Sequence, residues 1–124
     1  MSLVLDGGAL IAVERGDRDT AAVIEVARLE HRAVVVPAGV VGQVWRGGGR
    51  QARLARLLNA RDVVVEPLTD VGGRAAGVLC GTAGTTDVID ASVVLVARQH
   101  DATVISSDRA DLEALDPAIP IVDC

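Results

Sequence analysis

Four aspartates carry the chemistry this sequence has to offer: Asp6, Asp87, Asp90 and Asp108. Asp6 closes the apolar run SLVL, and Asp108 follows ATVISS. Asp87 and Asp90 stand three apart where an apolar stretch begins, so a helix there sets them on one face. Carboxylates gathered without a counter-charge repel, two of them at ~4 Å by ~1 kcal/mol in water and several times more when partly desolvated. One remedy is to share a proton. The other is a hard divalent cation, since Mg²⁺ and Mn²⁺ favour oxygen ligands. A cation held this way activates water and stabilises an in-line displacement at phosphate. The same spacing suits ordinary capping. Asp87 fits an N-cap with Asp90 three residues on. Asp108 fits a cap for RADLEAL, and Asp6 a turn before Gly7–Gly8. Spacing alone leaves both readings open.

Positioning these acids falls to alternating strands and helices. SLVLD reads as a short strand, and ALIAVERG as a short helix stopped by Gly16. DRDTAAVIEVARLEHR is amphipathic, with Ala22, Ile24, Val26, Ala27 and Leu29 as its inner residues. AVVVP is a β-branched run suited to a strand covered on both faces, ended by Pro37, and DVVVEP reads as another buried strand. AGVVGQVWRGGGRQARLARLLNA is one helix broken, or two joined, at Gly47–Gly49. TDVGGRAAGVLCGTAG is helical with a loop at Gly81–Gly84. The helix opened by Asp87 follows, with Val93 to Val96 burying it. The strand ATVISS, the helix RADLEAL and the strand IPIVDC close the chain. Such alternation implies an α/β domain, a parallel sheet with helices on both faces. In open sheets of this kind the active crevice lies beyond the carboxyl ends of the strands, where strand order reverses. Asp6 and Asp108 both follow strands, which brings them to that edge.

Composition narrows the classes. At 124 residues with half of them apolar, the chain fits a single domain, 1–124. No apolar run approaches the ~20 residues of a membrane span. The N-terminus lacks the basic-then-apolar pattern of a signal peptide, so a cytoplasmic protein without membrane partners is expected. Cys80 and Cys124 have no zinc-type spacing, and His31 and His100 sit in polar surroundings expected at the surface. All twelve basic residues are arginine, and the net charge is −5. That balance argues against broad non-specific nucleic-acid binding. It leaves a metal-binding acid cluster possible, because bound cations offset its charge. A receiver-like signalling domain also gathers acids at strand ends but needs a lysine, which is absent.

In their order and separations these segments resemble the PIN-domain family, in particular the VapC-type toxins of bacterial toxin–antitoxin pairs. VLDGGALIA resembles the family's opening strand, acid and small-residue turn. VVVPAGVVGQVWRGG resembles its second strand and helix, and TTDVIDASVVLVARQHDATVISSDRADLEAL its acidic C-terminal part. The resemblance covers nearly the whole chain. It implies a three-layer PIN-like fold with a central, mostly parallel sheet of about five strands. It also implies a metal-dependent endoribonuclease, the toxin of a type II pair, cleaving structured RNA such as tRNA or rRNA by metal-activated water. Mg²⁺ or Mn²⁺ is the implied cofactor. Asp6, Asp90 and Asp108 match the first, third and fourth acids of the family's pocket, as metal ligands. Asp87 is an additional acid, a supporting group or alternative ligand, and Asp111 stands near the mouth. The second family acid, usually glutamate, is here Gln43. Its carbonyl still ligates a cation, more weakly than a carboxylate, but it cannot serve as a general base. A weakened, PIN-like binding module is therefore the competing reading.

Arg46, Arg50 and Arg53 fall at i, i+4 and i+7 and share one helix face if the glycines do not break it. Their forks suit phosphate, though a solvated face explains them as well. Trp45 is the sole aromatic, so base stacking is a minor contributor to any RNA recognition, and the core or a subunit interface is its expected place. The resemblance also implies a homodimer and a cognate VapB-type antitoxin. Leu10, Ile11, Val13, Val23 and Val26 are the candidate surface for that antitoxin.

Overall fold

The computed structural model describes residues 1–124. In chain order it runs β1 (Ser2–Leu5), α1 (Gly7–Arg15), α2 (Arg18–Leu29), β2 (Val34–Pro37) and α3 (Ala38–Val44). A 3-10 turn, Gly49–Gln51, leads into α4 (Ala52–Leu58) and β3 (Val63–Glu66). Then come α5 (Asp70–Ala83), α6 (Val88–His100), β4 (Ala102–Ser106), α7 (Arg109–Leu115) and β5 (Ile121–Asp123). The five strands form one sheet in the order β3-β2-β1-β4-β5. Every pairing is parallel, so the sheet is wholly parallel.

The chain steps outward from β1 to β3, then returns to place β4 on β1's other side. Right-handed crossovers therefore put α1 to α4 over one face and α5 to α7 over the other. The helix contacts agree, with α1 touching α2, α3 and α4, and α6 touching α5 and α7. The central strands are covered on both sides. Leu3, Val4 and Leu5 of β1, Val34 to Val36 of β2, and Val104 and Ile105 of β4 are all buried. Against them lie Leu10 of α1, Leu54 of α4 and Val93 and Val94 of α6, all in one apolar core. Leu95 and Val96 are only half-buried.

Several local expectations need correction. DVVVEP is an edge strand, and Val64 and Val65 are exposed while Val63 alone is buried, because no strand lies beyond β3. Of the inner residues expected in α2, Ile24 and Ala27 are buried. Ala22, Val26 and Leu29 are exposed, because the buried stripe instead follows Thr20, Ile24 and Ala27. The loop expected at Gly81–Gly84 is helix up to Ala83, closed by Gly84 in the left-handed conformation at φ 75°. Helix α1 starts two residues earlier than expected, at Gly7, because Asp6 caps it. His100 is half-buried, its Nε2 3.5 Å from Glu66. No single helix is long and apolar enough to cross a membrane.

Candidate functional site

Strand order reverses between β1 and β4, which pair from Ser2↔Ala102 to Leu5↔Ile105. Both strands point their carboxyl ends at the same rim, and each ends beside an aspartate. The Asp6 amide donates to the Ile105 carbonyl at 3.3 Å, extending the ladder by one residue. Asp6 is buried, and its Oδ1 accepts the Ala9 amide at 3.2 Å, capping α1. Burial pushes the Asp6 carboxyl above its ordinary 3.8. The facing Ser106 hydroxyl and the Ala9 amide oppose the rise, and Asp108 adds to it. Asp108 occupies the N-cap position of α7 yet makes no capping hydrogen bond. Its backbone amide instead donates to the buried Ser106 Oγ at 2.8 Å. Ser106 thus stands between the two acids and fixes the turn that carries the second.

Asp90 comes to the same place from α6. Its half-buried carboxyl is pushed from 3.8 to about 6, first by burial and then by Asp87, Asp111, Asp108 and Asp6 in that order. Asp87 is the N-cap of α6, and its Oδ1 accepts the amides of Ile89 at 3.1 Å and Asp90 at 3.0 Å. The capping alternative thus describes what Asp87 does. Asp111, given little weight from sequence, adds to the rise at Asp90 ahead of Asp108. Two glycines permit this approach. A Cβ on Gly8 would overlap the Ser107 hydroxyl and lie 3.0 Å from the Ser107 amide nitrogen. A Cβ on Gly39 of α3 would lie 2.5 Å from Ile89 Cδ1 on α6.

None of these five aspartates makes an ion pair; the pairs in the chain use other acids. The donor chemistry therefore suits a hard divalent cation: carboxylate oxygens, mutually repelling, with no guanidinium spent on them. No three of them converge into a ready cage. The electrostatic demand is present ahead of the ligating geometry. Its pH dependence has a definite sign. The folded state keeps its Asp90 proton up to about 6, whereas the unfolded chain releases it near 3.8. Stability contributed by this group falls as pH rises through that window. A bound cation replaces the proton above it. Mn²⁺ should accordingly raise the melting temperature at about pH 7.5 and have little effect at about pH 5. Equal shifts at both values, read by differential scanning fluorimetry, would exclude Asp90 from the cation site.

Gln43 lies on α3 with its side chain toward this rim. Its Oε1 is 3.4 Å from the point where a Cβ on Gly7 would stand, beside the residue that follows Asp6. The arginine stripe is broken. Helix α3 ends at Val44, and Gly47 and Gly48 take φ values of 81° and 94° before the 3-10 turn. Arg46 and Arg50 still line one cleft of about 580 Å³ together with Gln43 and Arg15. Arg53 has gone elsewhere, against Gly16 at the end of α1. Trp45 is 40% exposed, outside the core. Of the expected antitoxin surface, Leu10 is fully buried and Val13 half-buried, while Ile11, Val23 and Val26 are exposed.

Two positioning residues escaped the sequence reading. Gln51 is buried; its Oε1 accepts the amides of Arg46 and Gly47, and its Nε2 donates to the Val44 carbonyl, each at 2.9 Å. It thereby clamps the turn after the helix that bears Gln43. A glutamine among arginines gives no sign of burial. Ser106 is the other; its one signal was its place two residues before Asp108 at a strand end.

The family model described as PIN domain matches residues 3–116. No curated protein matches the sequence. Among solved structures, VapBC2 from Rickettsia felis bound to a DNA fragment from its promoter is similar with a TM-score of 0.71. Identity is 12%, covering 99% of this chain and 98% of that one. FitAB bound to an IR36 DNA fragment gives 0.65 at 16% identity, over 98% and 94%. FitAcB from Neisseria gonorrhoeae gives 0.61 at 17%, over 96% and 95%.

Proposed function

The chain belongs to the PIN domain family, and from that membership we propose that it is a Mg²⁺- or Mn²⁺-dependent endoribonuclease, the toxin of a cytoplasmic toxin–antitoxin pair. The observation that carries the reading is the un-neutralised carboxyl cluster of Asp6, Asp90 and Asp108 where strand order reverses. Asp6, Asp90 and Asp108 would hold the cation, with Asp87 and Asp111 adding negative field. Bound there, the cation would lower the pKa of water and offset charge on the scissile phosphate. The chain's own groups prepare this. The Ala9 amide holds Asp6 in place, and Asp90, ionised above about pH 6, would offer its oxygens to the cation.

Gln43 is proposed as a neutral oxygen donor that orients water or substrate beside Asp6. Lacking a titratable proton, it leaves base chemistry to the carboxylates. A VapB-type antitoxin partner is supported by the similar folds found in the FitAB and VapBC2 complexes. Structured RNA as substrate, and a homodimer, follow from the family alone. The test is cleavage of total cellular RNA with and without Mn²⁺, in wild type and Gln43→Glu. Wild type should cut only with the metal. A glutamate here adds charge at the N-terminal end of α1, beside Asp6, and should tighten Mn²⁺ by about tenfold. No cleavage by either protein would favour the reading as a binding module. Unchanged Mn²⁺ affinity would put Gln43 outside the site.

A further inference from the structure

We infer that exposed arginines of α1, α2, α4 and the segment joining α3 to α4 line one continuous basic trough, leading away from the acid site, that seats the phosphodiester backbone of RNA beyond the point of cleavage. The identification of the polyanion as RNA rests on the nuclease reading above; the trough itself does not.

The ion pairs of the chain take up Arg28, Arg32, Arg74, Arg98 and Arg109. Six of the other seven arginines gather on one side: Arg15, Arg18, Arg46, Arg50, Arg53 and Arg56. All six are exposed. Three hollows connect them. The first, of about 580 Å³, holds Arg15, Arg46 and Arg50 beside Gln43. The second, of about 560 Å³, shares Ile11 and Arg15 with the first and reaches Gly8 and Ser107, next to Asp108. The third, of about 390 Å³, shares Gly16 with the second and holds Arg18, Arg53 and Arg56.

Helix geometry explains the path. Arg50, Arg53 and Arg56 recur every three residues through the 3-10 turn and α4, a rise of roughly 4.5 Å per step with a slow rotation about the axis. The rotation turns Arg50 toward the first hollow and Arg53 and Arg56 toward the third. Gly16, at φ 76° and without a Cβ, leaves room for the Arg53 guanidinium, which would otherwise lie 3.0 Å from that carbon. Few acids interrupt the tract. Glu14 lines the first hollow and Asp17 the second, where its Oδ2 accepts the Thr20 amide at 2.9 Å and hydroxyl at 2.7 Å, so two acids stand against six arginines.

A chain of net charge −5 with an acidic pocket repels RNA as a whole. Segregating the free positive charge beside the pocket overcomes this and orients the strand. None of the three hollows is lined by an aromatic side chain, so the grip is on phosphates rather than bases.

The test is fluorescence anisotropy in EDTA with a labelled RNA stem–loop of about 24 nucleotides and a labelled tetranucleotide, across a salt series. For the wild type, the stem–loop should show the steeper dependence on salt. Arg18→Glu/Arg56→Glu should weaken stem–loop binding at least about tenfold and flatten its log–log salt slope by one to two units. The milder Arg18→Ala/Arg56→Ala, with an unchanged melting temperature, should move both readings the same way by less. Wild-type affinity and slope retained in both variants would overturn the trough. So would an Asp-rich peptide that binds it more tightly than the stem–loop, which would make it a protein-docking surface. Because binding is read without metal, a failure to cleave in Mn²⁺ would sink the nuclease reading and leave this result standing.

Discussion

Asp90→Asn is expected to abolish Mn²⁺-dependent RNA cleavage, by roughly a thousandfold or more, and at the same time to raise the melting temperature of the metal-free protein at neutral pH. The two effects come from one cause. Asp90 is half-buried and faces Asp87, Asp111, Asp108 and Asp6. Its negative form is held against both burial and four like charges. Asparagine keeps the shape and removes the charge, so the folded state no longer carries that strain. The gain of a few degrees should vanish below about pH 4, where the wild-type carboxyl is protonated in both states. A residue kept for packing or capping would lose stability on the same substitution. Cleavage at the wild-type rate would remove Asp90 from the chemistry. A lowered melting temperature would make its role structural.

Gly8→Ala is expected to be the most damaging conservative change at the rim. The added carbon would overlap the Ser107 hydroxyl, lie 2.7 Å from Ser107 Cβ and press on backbone at 3.0 Å. Backbone on both sides is tied down. Gly8 lies in the first turn of α1, capped by Asp6, and the neighbouring Ser106 belongs to β4. Relief therefore requires α1 and β4 to part, at a cost of about 2–3 kcal/mol, or roughly 10 °C in melting temperature. Parting them also separates Asp6 from Asp108. Misplacement of reacting groups by ~1 Å lowers rates about a hundredfold, so activity should fall beyond the loss of folded protein. Adding Ser107→Gly removes the side-chain overlap but not the backbone contact, and should restore part of both. A double variant no better than Gly8→Ala would show that the contact is not what matters.

The sequence disclosed the layout because its strongest signals are local. AVVVP and ATVISS are continuous β-branched runs, and in the structure they form β2 and β4, covered on both faces. DVVVEP carries the same signal yet forms the exposed edge strand β3. Composition cannot tell an edge strand from a central one, because that depends on what packs alongside. Asp6 and Asp108 were legible by their places after strands and Asp90 by its place at a helix start, and each adds to the charge felt by another, though no three converge into a ready cage. Which atoms they use was not legible. Asp87 commits an oxygen to the α6 amides, whereas Asp108, equally placed to cap, leaves its carboxylate free. The arginines share one face only if the helix is unbroken, and Gly47 and Gly48 turn the chain at positive φ, so that condition is not met. Gln51 was invisible because its burial arises from that same turn.

The neighbours of β1 set a schedule for the growing chain. Of the five strands, the first to leave the ribosome is the middle one of the finished sheet, and its partner on one side, β4, begins about a hundred residues later. Contacts so distant along the chain form late and slowly. Until Ala102–Ser106 is made, Asp6 has no opposite wall, and an interrupted translation product carries no assembled centre. On the nuclease reading proposed above, latency of this kind would protect the very machinery that is producing the chain.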